Sequence, residues 1–495
     1  MNTRMIKVED FLTIINPVQS KTIDHQIISG ISIDSRTAQK GDVFFTMPSL
    51  NMLDYVNQAY EKGVRCFVIS EESKDIINLL HSLECSFFIV SNIRKMCADV
   101  CQLFFKNKPE IIVYVTGTNG KSSTVSMLRQ FWQSNHIEAA SIGTLGVERA
   151  FGFDKSLNLP SLTSLDSVSF NKTLNFLAVD GVKAVACEAS SHGVDQYRLD
   201  GPIIEAAAFL NFTQDHLDYH GTMENYFKAK SSLFKRILPS QKTAVLNSGL
   251  EKIDELKSIA REQNQKILTF GTSDTDDIKI LKYTTKNGFF SLDLSIFKTE
   301  YKNISFPLFG IFQIENLLCA IALAYTTGVS IDNIVKTIPT LNSLKGRMEY
   351  IGQTKTNARV FIDFAHSPDA LENILKGIKY HNPKSVHLVF GCGGDRDPLK
   401  RPIMGKIAHA LADVVYITND NPRHEDEKVI RNQILKEAPK AKEIADRREA
   451  IHQAISGLKE GDILIIAGKG HEEGQNIKGT IFPFSDQEIA RECLC

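Results

Sequence analysis

The chain has 495 residues, 43% of them hydrophobic, and a formal net charge of −1, a length that predicts about three packed domains. The near-balance of charge argues against a polyanion-coating protein, which would carry a basic excess. No apolar run approaches the ~20 residues that span a bilayer, the start MNTRMIKVEDF lacks an apolar signal segment, and nine cysteines without a C-x-x-C pair predict reduced thiols.

Those features predict a cytoplasmic chain that acts on small molecules, with no nucleic-acid partner and no membrane anchor. In chain order, residues 1–107 predict a small α/β domain. Strand candidates Ile28 to Ile33, Val43 to Thr46, Cys66 to Ile69 and Phe87 to Val90 alternate with helical stretches such as Tyr55 to Lys62 and Ile76 to Ser82. Within it, Ser32-Ile33-Asp34-Ser35-Arg36 fits a polar turn and a ligand contact equally well. Lys106-Asn107-Lys108-Pro109 reads as a linker, because a proline among polar residues breaks both neighbouring patterns.

The segment Ile111 to Thr124, IIVYVTGTNGKSST, then predicts a strand, a phosphate loop and a helix with Val125, Leu128, Phe131 and Trp132 on one face. Gly117 and Gly120 allow a tight turn whose N–H groups point at a phosphate, and the helix adds the positive end of its dipole. Lys121 supplies a mobile charge for the terminal phosphates and Ser122 a hydroxyl for Mg²⁺. The strict G-x-x-x-x-G-K-[ST] pattern is not met, since Val115 stands five before Gly120.

Two later strands deliver further chemistry. Val182 to Cys187 leads to Glu188 and Ala189-Ser190-Ser191-His192-Gly193, and Ala206 to Asn211 leads to the titratable run Asp215 to His220. Ligands of open α/β sheets bind beyond the carboxyl ends of the strands, so both loops point at the nucleotide. Lys230 lies on a helix-like stretch, Met223 to Ile237. Thr243 to Leu246 and Lys266 to Phe270 predict more strands, Ile278 to Ile296 a hairpin about Asn287-Gly288, and Leu317 to Thr326 an apolar helix. From Gly346 a doubly wound domain is expected, with strands Arg359 to Ile362, Ser385 to Phe390, Val414 to Thr418 and Asp462 to Ala467, each ending on a motif.

Ten motifs in order carry a resemblance over nearly the whole chain: DSR (Asp34 to Arg36), TGTNGKS (Thr116 to Ser122), EASSHG (Glu188 to Gly193), DHLDYHG (Asp215 to Gly221), AKSSLF (Ala229 to Phe234), GRME (Gly346 to Glu349), DFAHSPDAL (Asp363 to Leu371), GCGGDRD (Gly391 to Asp397), DNPR (Asp420 to Arg423) and GKGHE (Gly468 to Glu472). The chain resembles the Mur ligases, ATP-dependent ligases that build the peptidoglycan stem peptide, and within them the branch that adds meso-diaminopimelate to UDP-N-acetylmuramoyl-L-alanyl-D-glutamate. The resemblance implies three α/β domains: a small uridine-nucleotide domain (1–107), a central ATP-binding domain with a mainly parallel sheet (108–345), and a Rossmann-like amino-acid domain (346–495).

It also implies the site. ATP falls to Gly117, Thr118, Asn119, Gly120, Lys121, Ser122, Ser123, Asn316 and Arg347. Mg²⁺ falls to Ser122, Glu188, His216 and Lys230, with Lys230 carbamylated to N6-carboxylysine because an ammonium would repel the metal. Lys121, Lys230, His216 and Glu188 are the expected catalytic set. Ser35, Ser190, Gln196 and Arg198 would meet the nucleotide-linked peptide, and Arg396, Asp420, Asn421, Pro422, Arg423, Gly468 and Glu472 the incoming amino acid. The chain departs from the family pattern at Asn158-Leu159 before Pro160, near Thr163, and at Ser49 to Asp54. A monomer is expected. The alternatives are another family member adding L-lysine or D-alanyl-D-alanine, a folylpolyglutamate synthase-like ligase, and a signalling ATPase; the last has no use for GCGGDRD, DNPR and GKGHE on separate strand ends.

Overall fold

The computed structural model describes residues 5–150, 152–154, 162–286 and 289–494. The chain divides into two compact units, the first comprising Met1–Lys121, Leu128–Thr269 and Ala322–Val329 and the second Ser122–Met127, Phe270–Ile321 and Ser330–Cys495.

The first unit contains a five-stranded sheet in the order Gln19–Lys21, Ser86–Val90, Cys66–Ser70, Asp42–Phe45, Gly30–Ser32. All its pairings are parallel except the edge pair of Gln19–Lys21 with Ser86–Val90. Alternate residues feed two cores: Val43, Phe45, Val68 and Phe88 pack on one side, Phe44, Phe67, Ile69 and Phe87 on the other. Burial on both faces is why these strands read as unbroken apolar runs rather than alternating ones. The helices Met52–Glu61 and Lys74–Ser82 each begin a few residues before the stretches expected from the sequence, an ordinary margin for helix ends.

The larger sheet of this unit is built around Ile111–Thr116, flanked in parallel by Ala184–Glu188 and Ala206–Phe209. Ala139–Gly143 continues it beyond Ala184–Glu188, and Thr243–Asn247 beyond Ala206–Phe209. Three carboxyl ends therefore meet at one edge, where Thr116, Glu188 and Phe209 end their strands. The helix expected over Met223 to Ile237 is α-helical for Met223–Ser232 and then widens to a π turn, Leu233–Ile237. The segment Asn158 to Pro160 lies outside the described residues.

In the second unit, Ile278–Lys286, Phe289–Ile296 and Thr299–Phe306 form an antiparallel meander; the expected turn Asn287-Gly288 lies outside the described residues. A six-stranded sheet follows, ordered Glu349–Gln353, Arg359–Asp363, Ile463–Ala467, Val386–Phe390, Val414–Ile417, Lys442–Glu443. It is parallel but for its first strand and carries a core on each face. Among the described residues no helix is long and apolar enough to cross a membrane.

Candidate active site

The first cluster of expected residues lies at the carboxyl edge of the large sheet. Helix Lys121–Ser134 starts from Gly120, which adopts φ 84° and has no side chain to cap the first turn. The amides of that turn, with buried Ser122 and Ser123 in it, thus form an anion site of the usual helix-terminal kind. The loop before it is braced from the neighbouring strand end. Asn119 donates its N–H to Asn211 Oδ1 at 2.8 Å, and Asn211 Nδ2 donates back to the Asn119 carbonyl at 3.1 Å. Thr118 Oγ1 donates to the Thr213 carbonyl and accepts from the Thr213 N–H.

Two lysines converge on this loop. Lys121 Nζ donates to the carbonyls of Gly117 and Thr118, each at 2.9 Å. Lys230 Nζ, on a side chain buried under the loop, donates to the same Gly117 carbonyl at 2.8 Å and lies over the Tyr226 ring. Two ammonium groups sharing one acceptor stand within about 6 Å of each other, where like charges repel by about 3 kcal/mol at an effective dielectric near 20. Burial, and after it Lys121, pulls the Lys230 pKa well below its ordinary value. The neutral amine so favoured is the form that reacts with carbon dioxide.

Glu188 is buried, accepting from the Thr144 N–H at 3.0 Å through Oε1 and from Thr144 Oγ1 at 3.2 Å through Oε2. A Cβ on Gly143 would stand 1.9 Å from Glu188 Oε1, so glycine there is what admits the carboxylate. His216 has φ 51° and stacks edge-on against His192 at 5.0 Å. Burial lowers its pKa, Asp215 opposes, and Lys121 and Lys230 push down further, which leaves a neutral imidazole able to ligate a metal. Within the first unit, a buried carboxylate and a neutral imidazole at strand ends beside the phosphate loop are donor types that fit a Mg²⁺–triphosphate.

Next to it, Ser164 ties the predicted substrate contacts together. Its Oγ donates to the Glu188 carbonyl at 3.0 Å and accepts from Ser190 N and Ser190 Oγ, both at 3.0 Å. Its own carbonyl accepts from Arg198 Nη1 at 3.1 Å. Gln196 Oε1 accepts from Arg198 Nη2 at 2.7 Å and from Arg94 Nη1 at 3.2 Å. Ser35 is buried in the smaller sheet's domain and donates to Gln58. Thr144, Ser164 and Arg94 were not among the expected residues; only the Thr163-Ser164-Leu165-Asp166 run, with Asp166 capping helix Ser167–Val179, offered a signal.

A second cluster lies in the second unit, at the carboxyl ends of its parallel strands. The glycine loop Gly391 to Asp397 lies against Asp420 to Arg423: Gly394 donates to the Asn421 carbonyl at 2.9 Å, and a Cβ on Gly394 would meet the Pro422 carbonyl at 1.9 Å. Arg423 has φ 51°. Its N–H donates to Asn476 and its carbonyl accepts from Lys478, residues of a hairpin, Gly474–Ile477 with Thr480–Pro483, that was not expected from the sequence. Its Nη1 donates to the Gly394 carbonyl at 2.6 Å.

Glu472 Oε2 accepts from Asn421 Nδ2 at 2.7 Å and from buried Lys469 at 3.1 Å, and Lys469 also donates to Asn421 Oδ1. Asp420 accepts the Asn421 N–H, and Gly468 donates to the Asp363 carbonyl. Arg396 is exposed on the glycine loop. Asn316 is buried and donates to Gln313, while the Arg347 guanidinium stands 4.8 Å over the Phe364 ring.

The phosphate-loop cluster and the glycine-loop cluster each lie at the strand ends of their own sheet, and the comparisons with known proteins make the chain an ATP-dependent ligase. Residues 115–324 match the Mur ligase middle domain and residues 346–470 the Mur ligase glutamate ligase domain. The chain is 40% identical over 475 residues to the UDP-N-acetylmuramoyl-L-alanyl-D-glutamate--2,6-diaminopimelate ligase of Rickettsia rickettsii, covering 94% of this chain and 96% of that protein. It is 40% identical over 469 residues to the enzyme of the same name from Rhizobium meliloti, covering 94% of each. A solved structure of a ligase with this name superposes with a TM-score of 0.71 at 31% identity, covering 99% of both chains. The chain belongs to the Mur ligase family.

Proposed function

We infer that this chain is the ATP-dependent ligase that adds meso-diaminopimelate to UDP-N-acetylmuramoyl-L-alanyl-D-glutamate during peptidoglycan precursor synthesis. Near full-length identity to diaminopimelate ligases carries this reading. It acts in the cytoplasm as a monomer, with domains bounded near residues 107 and 345; light scattering and limited proteolysis check the last two.

A carboxylate is a poor acyl donor because its leaving group would be oxide. The γ-phosphoryl group of ATP passes to a carboxylate oxygen and ADP leaves, giving an acyl phosphate; a bound Mg²⁺ would offset the phosphate charge. Gly117 to Ser123 cradle the phosphates, and Lys121 follows the charge that grows on the moving phosphoryl group. Glu188, His216, Ser122 and a carbamylated Lys230 would hold a Mg²⁺ ion, the carbamate putting an anionic oxygen where a cation stood. Thr144 orients Glu188. Asn316 and Arg347 serve the nucleoside. Ser35, Ser190, Gln196 and Arg198 hold the nucleotide-linked peptide so that its carboxylate meets the phosphate in line. The amine then attacks and phosphate leaves.

Arg423 supports the choice of amine. Its guanidinium direction is fixed by the glycine loop and the hairpin, and a planar fork suits the distal carboxylate of diaminopimelate bidentately. L-Lysine has only an ammonium there, which Arg423 repels. Asp420, Asn421, Pro422, Gly468, Glu472 and Arg396 complete the pocket.

Ligation with meso-diaminopimelate and L-lysine side by side tests the reading, with a large preference for the first expected. Equal or better use of L-lysine would show the amine to be wrong, and ADP release without either acceptor would favour a signalling ATPase. For Lys230, the check is electron density for a carboxyl group on Nζ in crystals grown with bicarbonate. A bare amine there would remove it from the metal site.

A further inference from the structure

Arg94 lies on the first turn of helix Ile93–Phe104, outside every motif, yet it reaches the loop that follows Glu188. Gln196 Oε1, a single neutral oxygen, takes three N–H donors: Arg94 Nη1 at 3.2 Å, Arg198 Nη2 at 2.7 Å and Arg198 Nε at 3.2 Å. Two guanidiniums thus meet on an amide that carries no charge to offset them. Among the described residues Arg94 makes no other hydrogen bond and no ion pair. Burial, and next to it the charge of Arg94, lowers the Arg198 pKa. The same amide is pinned from its other end, where Gln196 Nε2 donates to Tyr219 Oη at 3.1 Å and Tyr219 Oη donates to Asp195 at 2.7 Å. The oxygen is therefore presented to both arginines in a set direction.

We propose that Arg94 and Arg198 form a two-guanidinium clamp for a carboxylate of the nucleotide-linked peptide, the one on the terminal glutamyl residue that does not react. This rests on the function proposed above. A charged acceptor gains more from two guanidiniums than a neutral amide oxygen does, because charge-assisted hydrogen bonds are roughly twice as strong. A diphosphate is the other anion of that substrate. The carboxylate is favoured by position: through Ser164, Arg198 is tied to Ser190 and to the Glu188 carbonyl, so the clamp stands at the carboxyl edge of the sheet, on the loop that carries Glu188. That is where the acceptor end of the peptide must lie for its other carboxylate to reach the phosphoryl group. Arg94 comes from the small domain's last helix, so binding would also depend on that helix staying docked, which Gln102 secures by donating to Asn171 Oδ1 at 2.8 Å.

The test compares two substrates in the full-length enzyme: the natural nucleotide dipeptide, and the analogue whose terminal residue carries a carboxamide in place of the unreactive carboxylate. Arg94→Ala should raise KM for the natural substrate at least tenfold, with KM for ATP and for the amino acid within twofold of wild type. For the amide analogue the variant and wild type should differ by less than twofold, because the group that Arg94 meets is gone. Arg94→Lys, which keeps the charge and loses the fork, should fall between.

An equal loss on both substrates would overturn the clamp and make Arg94 a support for Gln196 or a diphosphate contact. No loss on either would overturn it too. If Arg94→Ala does not fold, Arg94→Gln gives the same comparison, and failure of both to fold assigns Arg94 to stability and overturns the clamp. Wild-type ligation of the natural substrate is the control: its absence would count against the proposed function, whereas the variant pattern bears on the clamp alone.

Discussion

At the phosphate loop, Lys121 and Lys230 share the carbonyl of Gly117. In the second unit, around the glycine loop Gly391 to Asp397, buried Lys469 meets Glu472 and buried Arg401 meets Glu425. The first arrangement sets two like charges against one another, and is relieved when buried Lys230 gives up its proton and leaves Lys121 to face the phosphates. The second is nearly balanced, which suits the zwitterionic head of an amino acid, where a surplus of either sign would bind one end and repel the other. The two regions also differ in what fixes them. The Asn211 and Thr118 side chains brace the phosphate loop, whereas backbone groups of the hairpin and of Gly394 hold Arg423.

This contrast is broken most sharply at Lys121. Lys121→Ala removes the charge that meets the phosphoryl group, and one lost electrostatic stabiliser of this kind costs roughly 3–4 kcal/mol, or 10²–10³ in kcat. The variant should keep the wild-type Tm within a few degrees, since Lys230 still donates to the Gly117 carbonyl. Near wild-type turnover at saturating ATP would sink the role.

Arg423→Ala tests the other side. Its expected cost is about 2 kcal/mol, the lower end for truncating one partner of a buried charged pair, and it should appear in KM for meso-diaminopimelate with KM for ATP unchanged. A matching rise in both constants would mean that the arginine holds the glycine loop rather than the amino acid.

Much of this was legible in the sequence. Strands buried on both faces give continuous apolar runs, so Ile111 to Thr116 and Ala184 to Glu188 stand out, and each is followed by a glycine- or serine-bearing turn of distinctive composition. What was not legible depends on partners far away in the chain. Thr144 and Arg94 are single polar residues outside motifs, which acquire a role only when folding brings Glu188 and Gln196 to them. The hairpin Gly474–Ile477 with Thr480–Pro483 was not expected, because nothing local in the sequence ties it to Arg423. Lys469 lies inside a motif, but a lysine is usually solvated, and only the fold puts it against Glu472. The π turn at Leu233–Ile237 has no sequence signature here.

The smallest effect concerns His471, inside the GKGHE motif, whose Nδ1 is buried with no hydrogen-bond partner among the described residues. Burial first, then Arg347 and Lys345, pushes it down to about 4 from an ordinary 6.5. Between those values the unfolded chain takes up a proton that the folded chain refuses. Stability present above pH 6.5 is therefore lost as pH falls toward 4. The full shift corresponds to about 3 kcal/mol; since the residue is partly exposed and its charged neighbours are screened by solvent, about 1–2 kcal/mol is expected. His471→Gln should flatten the fall of Tm with pH across this window, leaving the share due to His366, His192, His216 and His220, whose pKa values burial also lowers. Lys121→Ala, in the other region, should leave the His471 share intact. An unchanged slope in His471→Gln would mean that the imidazole accepts its proton in the folded chain, and that the pocket wall tolerates one more positive charge than its paired cations imply.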